Sequence, residues 1–311
     1  MAAKNSKSSP ELVPSERMLV PDHLPKEKDG DELGGFRSKS LSVVDKIGQM
    51  ERDAFLRSKG IDPKMPMQLD IWPDDVREIP NDYARSALFT VRNKREPRAS
   101  MQGALVFHVE KAIKITFTGI ELRADDDELV WQQILDYAKR FPLGDPVEFN
   151  LHELCQDLNW SVNGRNYDKA RLCISRLKAN EVKVENERIG RGVAISLIRE
   201  YEFLGDTAKG TKYRIWIHPN LIILFAGNTS TRIAWNKYRD LTPISRRLYD
   251  YFASHKSPFP LRLDTFYKMC ASSCSTTRKW RAMVRGACAE LAEVQMVKKA
   301  WVKDDCIFCE R

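Results

Sequence analysis

Ser275–Leu291, STTRKWRAMVRGACAEL, is the stretch that decides the fold. Wound at about 100° per residue, it places Trp280, Val284, Ala287 and Leu291 on one face, the i, i+4, i+7, i+11 spacing of a buried stripe. Arg278, Arg281 and Arg285 gather on the opposite side, with Lys279 at the flank. Ser275, Thr276 and Thr277 are suited to cap its start. No acid precedes Glu290 in the helix, so the arginines have no intrahelical partner three or four residues away. One face is built for a core and the other for an anion. A basic helix of this length, following a short helix and a tight turn, has the form of the second helix of a helix-turn-helix. The alternative is a solvated basic face on a structural helix.

Working outward, the last third of the chain repeats an earlier plan. ILDYAKRFPLGDPVEF (134–149) parallels LYDYFASHKSPFPLRL (248–263), with Asp136-Tyr137 matching Asp250-Tyr251, Pro146 matching Pro260 and Phe149 matching Leu263. After one inserted residue, Leu151, Leu154 and Cys155 match Phe266, Met269 and Cys270. Each copy reads helix, proline-bounded strand, short helix, turn, long basic helix, strands. In the first copy the long helix is Arg165–Ala179: Tyr167, Ala170, Ile174 and Leu177 face inward, and Arg165, Lys169 and Arg176 lie opposite. Strand patterns follow in EVKVENERIG, VAISLIREYEFL and KYRIWIHP, turned by Gly190 and Gly192 and then by Gly205 and Gly210. A helix-turn-helix followed by a hairpin is the winged-helix pattern. Hairpin tips bearing Arg188, Arg191, Lys209 and Lys212 would reach a nucleic-acid backbone beside the groove. An internal repeat outweighs any single motif. The expected class is therefore α+β, with two tandem winged-helix domains at 104–218 and 219–311. A disordered tail over 1–64 and a linker over 65–103 precede them.

Composition agrees. Lysine plus arginine exceed aspartate plus glutamate by 51 to 43, a formal charge of +8, which favours a polyanionic partner. No apolar run is long enough to span a membrane and the N-terminus has no secretory pattern, so a cytoplasmic protein is expected. Seven cysteines, an odd number in a chain of 311 residues, read as free thiols. The first 64 residues are rich in Pro, Lys, Glu, Ser and Gly, with Leu41, Val44, Ile47 and Phe55 at the spacing of a short amphipathic helix.

Several chemistries are set aside. Gly205-x4-Gly210 with Thr211-Lys212 has the wrong final order for a phosphate loop, and strands flank it where a helix should follow. Cys270-x3-Cys274 with Cys306-x2-Cys309 has zinc-like spacing, but Cys270 takes the place of Cys155 inside a helix, which suggests core packing. His152-Glu153 lacks the second histidine of a zinc protease. Asp125–Glu128 would suit a metal nuclease, yet acids belong in a helix's first turn, where they offset the macrodipole. No enzyme, metal or cofactor is expected.

One short peptide remains. Pro66 and Pro73 bracket Gln68-Leu69-Asp70-Ile71-Trp72, which reads as extended and exposed. It resembles the peptide that docks into the bacterial DNA polymerase sliding clamp: an amide to fix register and apolar anchors. Packing of linker residues on the nearest domain is the alternative.

From Met65 onward the chain resembles the TrfA family of replication initiators of broad-host-range plasmids. The likeness is carried by NDYARSALFTVRNK, GIELRADDDELVWQQILDYAKR, ELCQDLNWSVNGR, LFAG and SRRLYDYFASH. It implies two winged-helix domains that bind direct repeats, iterons, in double-stranded origin DNA. It further implies melting of an adjacent AT-rich region, contact with single-stranded origin DNA, and work with host DnaA and replicative helicase. It implies activity as a monomer and inhibition by self-association, and a clamp-binding motif matched by Gln68, Leu69, Ile71 and Trp72, with Trp72 in place of the family's Phe. NEVKVENERIGRG (180–192) departs from the family. On this reading Thr277, Arg278, Lys279, Arg281 and Arg285 contact DNA from the second domain, and Arg165, Lys169 and Arg176 from the first. A winged-helix transcriptional regulator that never opens DNA is the competing expectation.

Overall fold

The computed structural model describes Met50 and residues 53–54, 56–58, 62–65, 68–186, 191–207, 210–221 and 230–311. Residues Asp53–Arg311 form one compact unit. In chain order its elements are β1 (Val76–Pro80), α1 (Asn81–Ala84), β2 (Phe89–Thr90), β3 (Ser100–Val106), β4 (Ile113–Ile120), β5 (Leu122–Arg123), α2 (Asp127–Ala138), β6 (Pro146–Asn150), α3 (Leu151–Asp157), α4 (Gly164–Lys178), β7 (Asn180–Asn186), β8 (Arg191–Ile195), β9 (Glu200–Thr207) and β10 (Gly210–Trp216). The rest are β11 (Ser230–Ala234), α5 (Trp235–Tyr238), α6 (Pro243–Ala253), β12 (Leu261–Arg262), α7 (Leu263–Met269), α8 (Thr277–Glu293), β13 (Lys299–Lys303) and β14 (Cys306–Glu310).

The repeat survives as topology. α2, β6, α3, α4, β9 and β10 form one winged helix; α6, β12, α7, α8, β13 and β14 form the other. Their three-stranded sheets run in the same order, β6-β10-β9 and β12-β14-β13. The matched residues do matched work. Cys155 and Cys270 are both fully buried at the end of the short helix. Each helix-turn-helix bend passes through a left-handed residue, Asn159 (φ 56°) in the first half and Ala271 (φ 41°) in the second. α3 begins with a capping box: Asn150 accepts from the Glu153 amide and Glu153 from the Asn150 amide. Pro243 opens α6, whose first turn is held by Glu290 of α8, which accepts from the Thr242 amide and hydroxyl.

Three expectations need correction. First, the strands after α4 do not all build a wing. The β7–β8 hairpin leaves the winged helix and joins β3 and β4 in a separate sheet of order β3-β4-β7-β8. The wing is β9–β10, and Gly205 lies inside β9 at φ 54° rather than at its tip. Second, 65–103 is no linker. Leu69, Trp72, Ile79, Tyr83, Ala84 and Phe89 belong to the core. β1 pairs antiparallel with β11, from Val76 opposite Ala234 to Pro80 opposite Ser230. Third, Leu56, inside the span expected to be a tail, is fully buried. The helix read around Leu41, Val44, Ile47 and Phe55 lies outside the described residues. No helix among the described residues is long and apolar enough to cross a membrane.

The two halves meet at Arg247 of α6, which is fully buried. Its Nη2 donates to the carbonyls of Tyr83 (3.2 Å), Ala84 (3.1 Å) and Ser86 (2.6 Å). Its Nη1 reaches Asp250 of its own helix at 2.7 Å and Glu128 of α2 at 3.2 Å. One guanidinium thus satisfies the Ala84 and Ser86 carbonyls at and beyond the end of α1, adds to the donors on that of Tyr83, and ties the second winged helix to the first.

Candidate nucleic-acid interface

The second long helix, α8, is seated by its apolar stripe. Trp280, Val284, Ala287 and Leu291 are all buried. Trp280 Nε1 donates to the Leu263 carbonyl at 3.0 Å, and its ring packs against Phe266 and Tyr267, fixing the angle between α7 and α8. Thr276 is the N-cap and accepts from the Lys279 amide. The rest of the surface points outward. Thr277, Arg278, Lys279 and Arg285 are exposed. Arg278, Lys279 and Arg285 have no ion-pair partner among the described residues. Arg281 is half-exposed and paired with Asp305, in the turn between β13 and β14.

The first long helix, α4, is less uniform. Ala170, Ile174 and Leu177 are fully buried. Arg165 is exposed on its first turn, and Lys169 lies over the Trp160 ring at 3.6 Å. Arg176 is not part of that outward face. Its Nη2 reaches the buried Asp127 at 2.8 Å and its Nε donates to the same carboxylate at 2.9 Å. Arg98 binds Asp127 at 2.6 Å and Asp126 at 2.7 Å from the other side. Burial, and then the adjacent Asp126 carboxylate, push Asp127 up to about 6, against the pull of Arg176 and Arg98. Arg176 is therefore a structural cation that compensates a buried acid.

The wings carry fewer of the expected cations. Arg188 and Lys209 lie outside the described residues. Arg191 begins β8, so it belongs to the separate sheet. Lys212 sits within β10 rather than at a tip, paired with Glu148 of β6.

Gln68–Trp72 is extended but not exposed, contrary to expectation. Leu69 and Trp72 are each 2% exposed, while Asp70 and Ile71 face solvent, Ile71 at 73%. Trp72 Nε1 donates to Asp136 of α2 at 3.0 Å, and Gln68 donates to the Lys139 carbonyl at 3.1 Å. The peptide is docked on its own protein by the features that suit it to a foreign groove.

The acids at the start of α2 are engaged by arginines. Asp126, Asp127 and Cys173 come close enough together to share an ion. Two guanidiniums already occupy the carboxylates, and burial raises the Cys173 thiol so that it stays protonated. Sequence reading missed a second group of cations. Lys94 and Arg98 line a cleft of about 600 Å³ together with Asn163, Arg165 and Lys169 of the α4 region. The only local signal was the density of basic residues in VRNKREPR (91–98).

Two seated helix-turn-helix units, each with a cation-bearing outer helix, define a tandem winged-helix architecture. The TrfA protein family model matches residues 44–311, and the chain belongs to the TrfA family. It is 50% identical over 240 residues to the Escherichia coli plasmid replication initiator protein TrfA, an alignment covering 77% of this chain and 63% of that protein. The crystal structure of domains 2 and 3 of RctB shares the fold, with a TM-score of 0.51 and 12% identity over 74% of this chain and 96% of that one.

Proposed function

We propose that this chain is a plasmid replication initiator that binds repeated sites in origin DNA through α8 and α4. The observation that carries this reading is the exposure of Arg278, Lys279 and Arg285 on a helix whose other face is locked by Trp280. A fixed helix backbone removes the cost of ordering the chain on contact, and the planar arginine fork matches the O6 and N7 acceptors of guanine, so arginine on such a helix suits bidentate contact with that base. Family membership supplies the biological setting. The two halves are joined through the buried Arg247 cluster, and in this proposal their helices address adjoining major grooves about one helical turn (~34 Å) apart.

Several initiators bound in phase along direct repeats would bend and strain the neighbouring AT-rich tract. Host DnaA and helicase would act on the opened strands. Sliding-clamp binding through Gln68–Trp72 belongs to the same proposal. It requires the peptide to leave α2, because Leu69 and Trp72 cannot fill two pockets at once.

The test is a gel-shift series on plasmid origin DNA carrying direct repeats. Arg278→Ala and Arg285→Ala are each expected to weaken binding by roughly 1–3 kcal/mol if they hold bases. Wild-type affinity in both would remove the reading face. Permanganate footprinting then separates initiation from simple regulation: reactive thymines in the AT-rich tract accompany an initiator, and their absence at saturating protein would leave a DNA-binding regulator.

A further inference from the structure

We propose that the turn Asn93–Arg95 is a DNA contact of its own, crossing the minor groove between the two recognition helices. The inference rests on the reading that α4 and α8 enter major grooves.

The turn is tied to both helix-turn-helix units. On one side, the Val91 amide donates to the Cys270 carbonyl at 2.7 Å and Arg92 Nε to the Ala271 carbonyl at 3.1 Å, at the bend between α7 and α8. Ser273 Oγ donates to Glu96 at 2.9 Å, four residues before α8 begins. On the other side, Lys94 shares a cleft with Asn163, the N-cap of α4, and with Arg165 on its first turn. The starts of both long helices therefore flank this one segment.

The turn is also held in shape. Glu96 N donates to the Asn93 carbonyl at 3.0 Å, and Arg95 N to the Asn93 side chain at 3.0 Å, an Asx-type turn. From behind, the buried Arg123 guanidinium donates to the carbonyls of Asn93 (3.2 Å), Glu96 (3.0 Å) and Pro97 (3.3 Å). The side chains are left outside. Asn93, Lys94 and Arg95 are exposed, and the Arg95 guanidinium has no partner among the described residues. Lys94 pairs with Asp125 at 2.9 Å, but its side chain is 74% exposed, so the pair is weak and exchangeable for a phosphate.

On one face of a duplex the order is major, minor, major groove. Two helices in adjoining major grooves leave a minor groove about 6 Å wide between them, which admits an extended turn but no helix. Arginine is the side chain favoured there, because a narrow, AT-rich minor groove has a deepened negative potential. Arg95 is placed to enter that groove and Lys94 to hold a flanking phosphate. Unlike a flexible arm, a turn braced by Arg123 enters with little ordering cost.

The test uses the full chain and a duplex that it selects from a random-sequence pool. In Lys94→Gln/Arg95→Gln, dimethyl sulfate protection of guanine N7 in the two flanking major-groove windows is expected to persist. Hydroxyl-radical protection of the minor groove between them should be lost, binding should weaken about tenfold, and the salt slope should become shallower by about two. Netropsin, a minor-groove ligand, should weaken the wild type to the level of this variant and weaken the variant no further. Both positions are exposed, so an unchanged melting temperature serves as the folding control. An unchanged slope and unchanged minor-groove protection would overturn the turn contact alone. Wild-type binding by Arg278→Ala/Arg285→Ala would instead overturn the reading beneath it.

Discussion

At the scale of single residues, the fold turns on a dry ionic cluster. Arg247 faces two carboxylates, Glu128 and Asp250, all three fully buried. Glu128 Oε2 has no hydrogen-bond partner among the described residues. Burial raises both acids against the pull of Arg247 and Arg246, so the pair holds a proton to higher pH than free carboxylates do. Burial, and then the Glu128 charge, push Asp250 up to about 8 despite Arg247. An unfolded aspartate releases its proton near 3.9. Between those values the native state holds the extra proton. This contribution to stability is therefore full below about pH 4, shrinks by at most about 1.4 kcal/mol per unit as pH rises, and is gone above about 8. Asp250→Asn leaves Glu128 alone with Arg247, and its unfolding midpoint should depend less on pH between 6 and 8 than the wild type's. An identical pH profile would place the proton elsewhere. Arg247→Met is expected to cost about 3–5 kcal/mol in urea unfolding, since it strands two buried acids and the Ala84 and Ser86 carbonyls.

Among the elements, the segment Gln68–Trp72 has one use in the fold and a second, proposed use that is incompatible with it. Trp72 is core, so Trp72→Ala is expected to cost about 3–5 kcal/mol. A loss of clamp binding in that variant alone is ambiguous. Ile71 offers the clean measurement: it is exposed, and Ile71→Ala should stay within about ±0.5 kcal/mol of wild-type stability. If the peptide serves the clamp, Ile71→Ala lowers clamp pull-down with iteron binding intact. A free peptide spanning 64–76 should also bind the clamp more tightly than the intact chain, because the chain must first expose Leu69 and Trp72. Equal affinities would mean that the buried state does not compete.

For the whole molecule, the β1–β11 pairing and the Arg247 cluster fix one winged helix against the other. On the proposed reading, two helix faces held together in this way bind DNA as one. Arg165 and Arg278 lie on separate helices with no shared partner, so the losses from Arg165→Ala and Arg278→Ala should add within about 0.5 kcal/mol in fluorescence anisotropy titrations. A double variant no weaker than Arg278→Ala alone would mean that α4 stays off the DNA. Arg176→Ala belongs to a different class: its first effect is a lower unfolding midpoint, because Asp127 loses a buried partner.

Much was legible in the chain itself. The 3.6-residue period of α4 and α8, the cap of α8, and the duplicated order of helices and strands followed from local spacing, which depends only on neighbours in sequence. The exposed faces of Arg165, Arg278, Lys279 and Arg285 followed from the same spacing. What the chain alone left undecided were partnerships between distant residues. A cation on the polar side of a helix looks the same whether it awaits a phosphate or, like Arg176, a carboxylate almost fifty positions away in Asp127. An apolar pentapeptide looks the same whether its groove is foreign or its own α2. A strand after α4 carries no mark of which sheet will accept its hydrogen bonds. Tertiary structure settled these because burial and charge compensation are set by every group packed nearby, and only the folded chain brings those groups together.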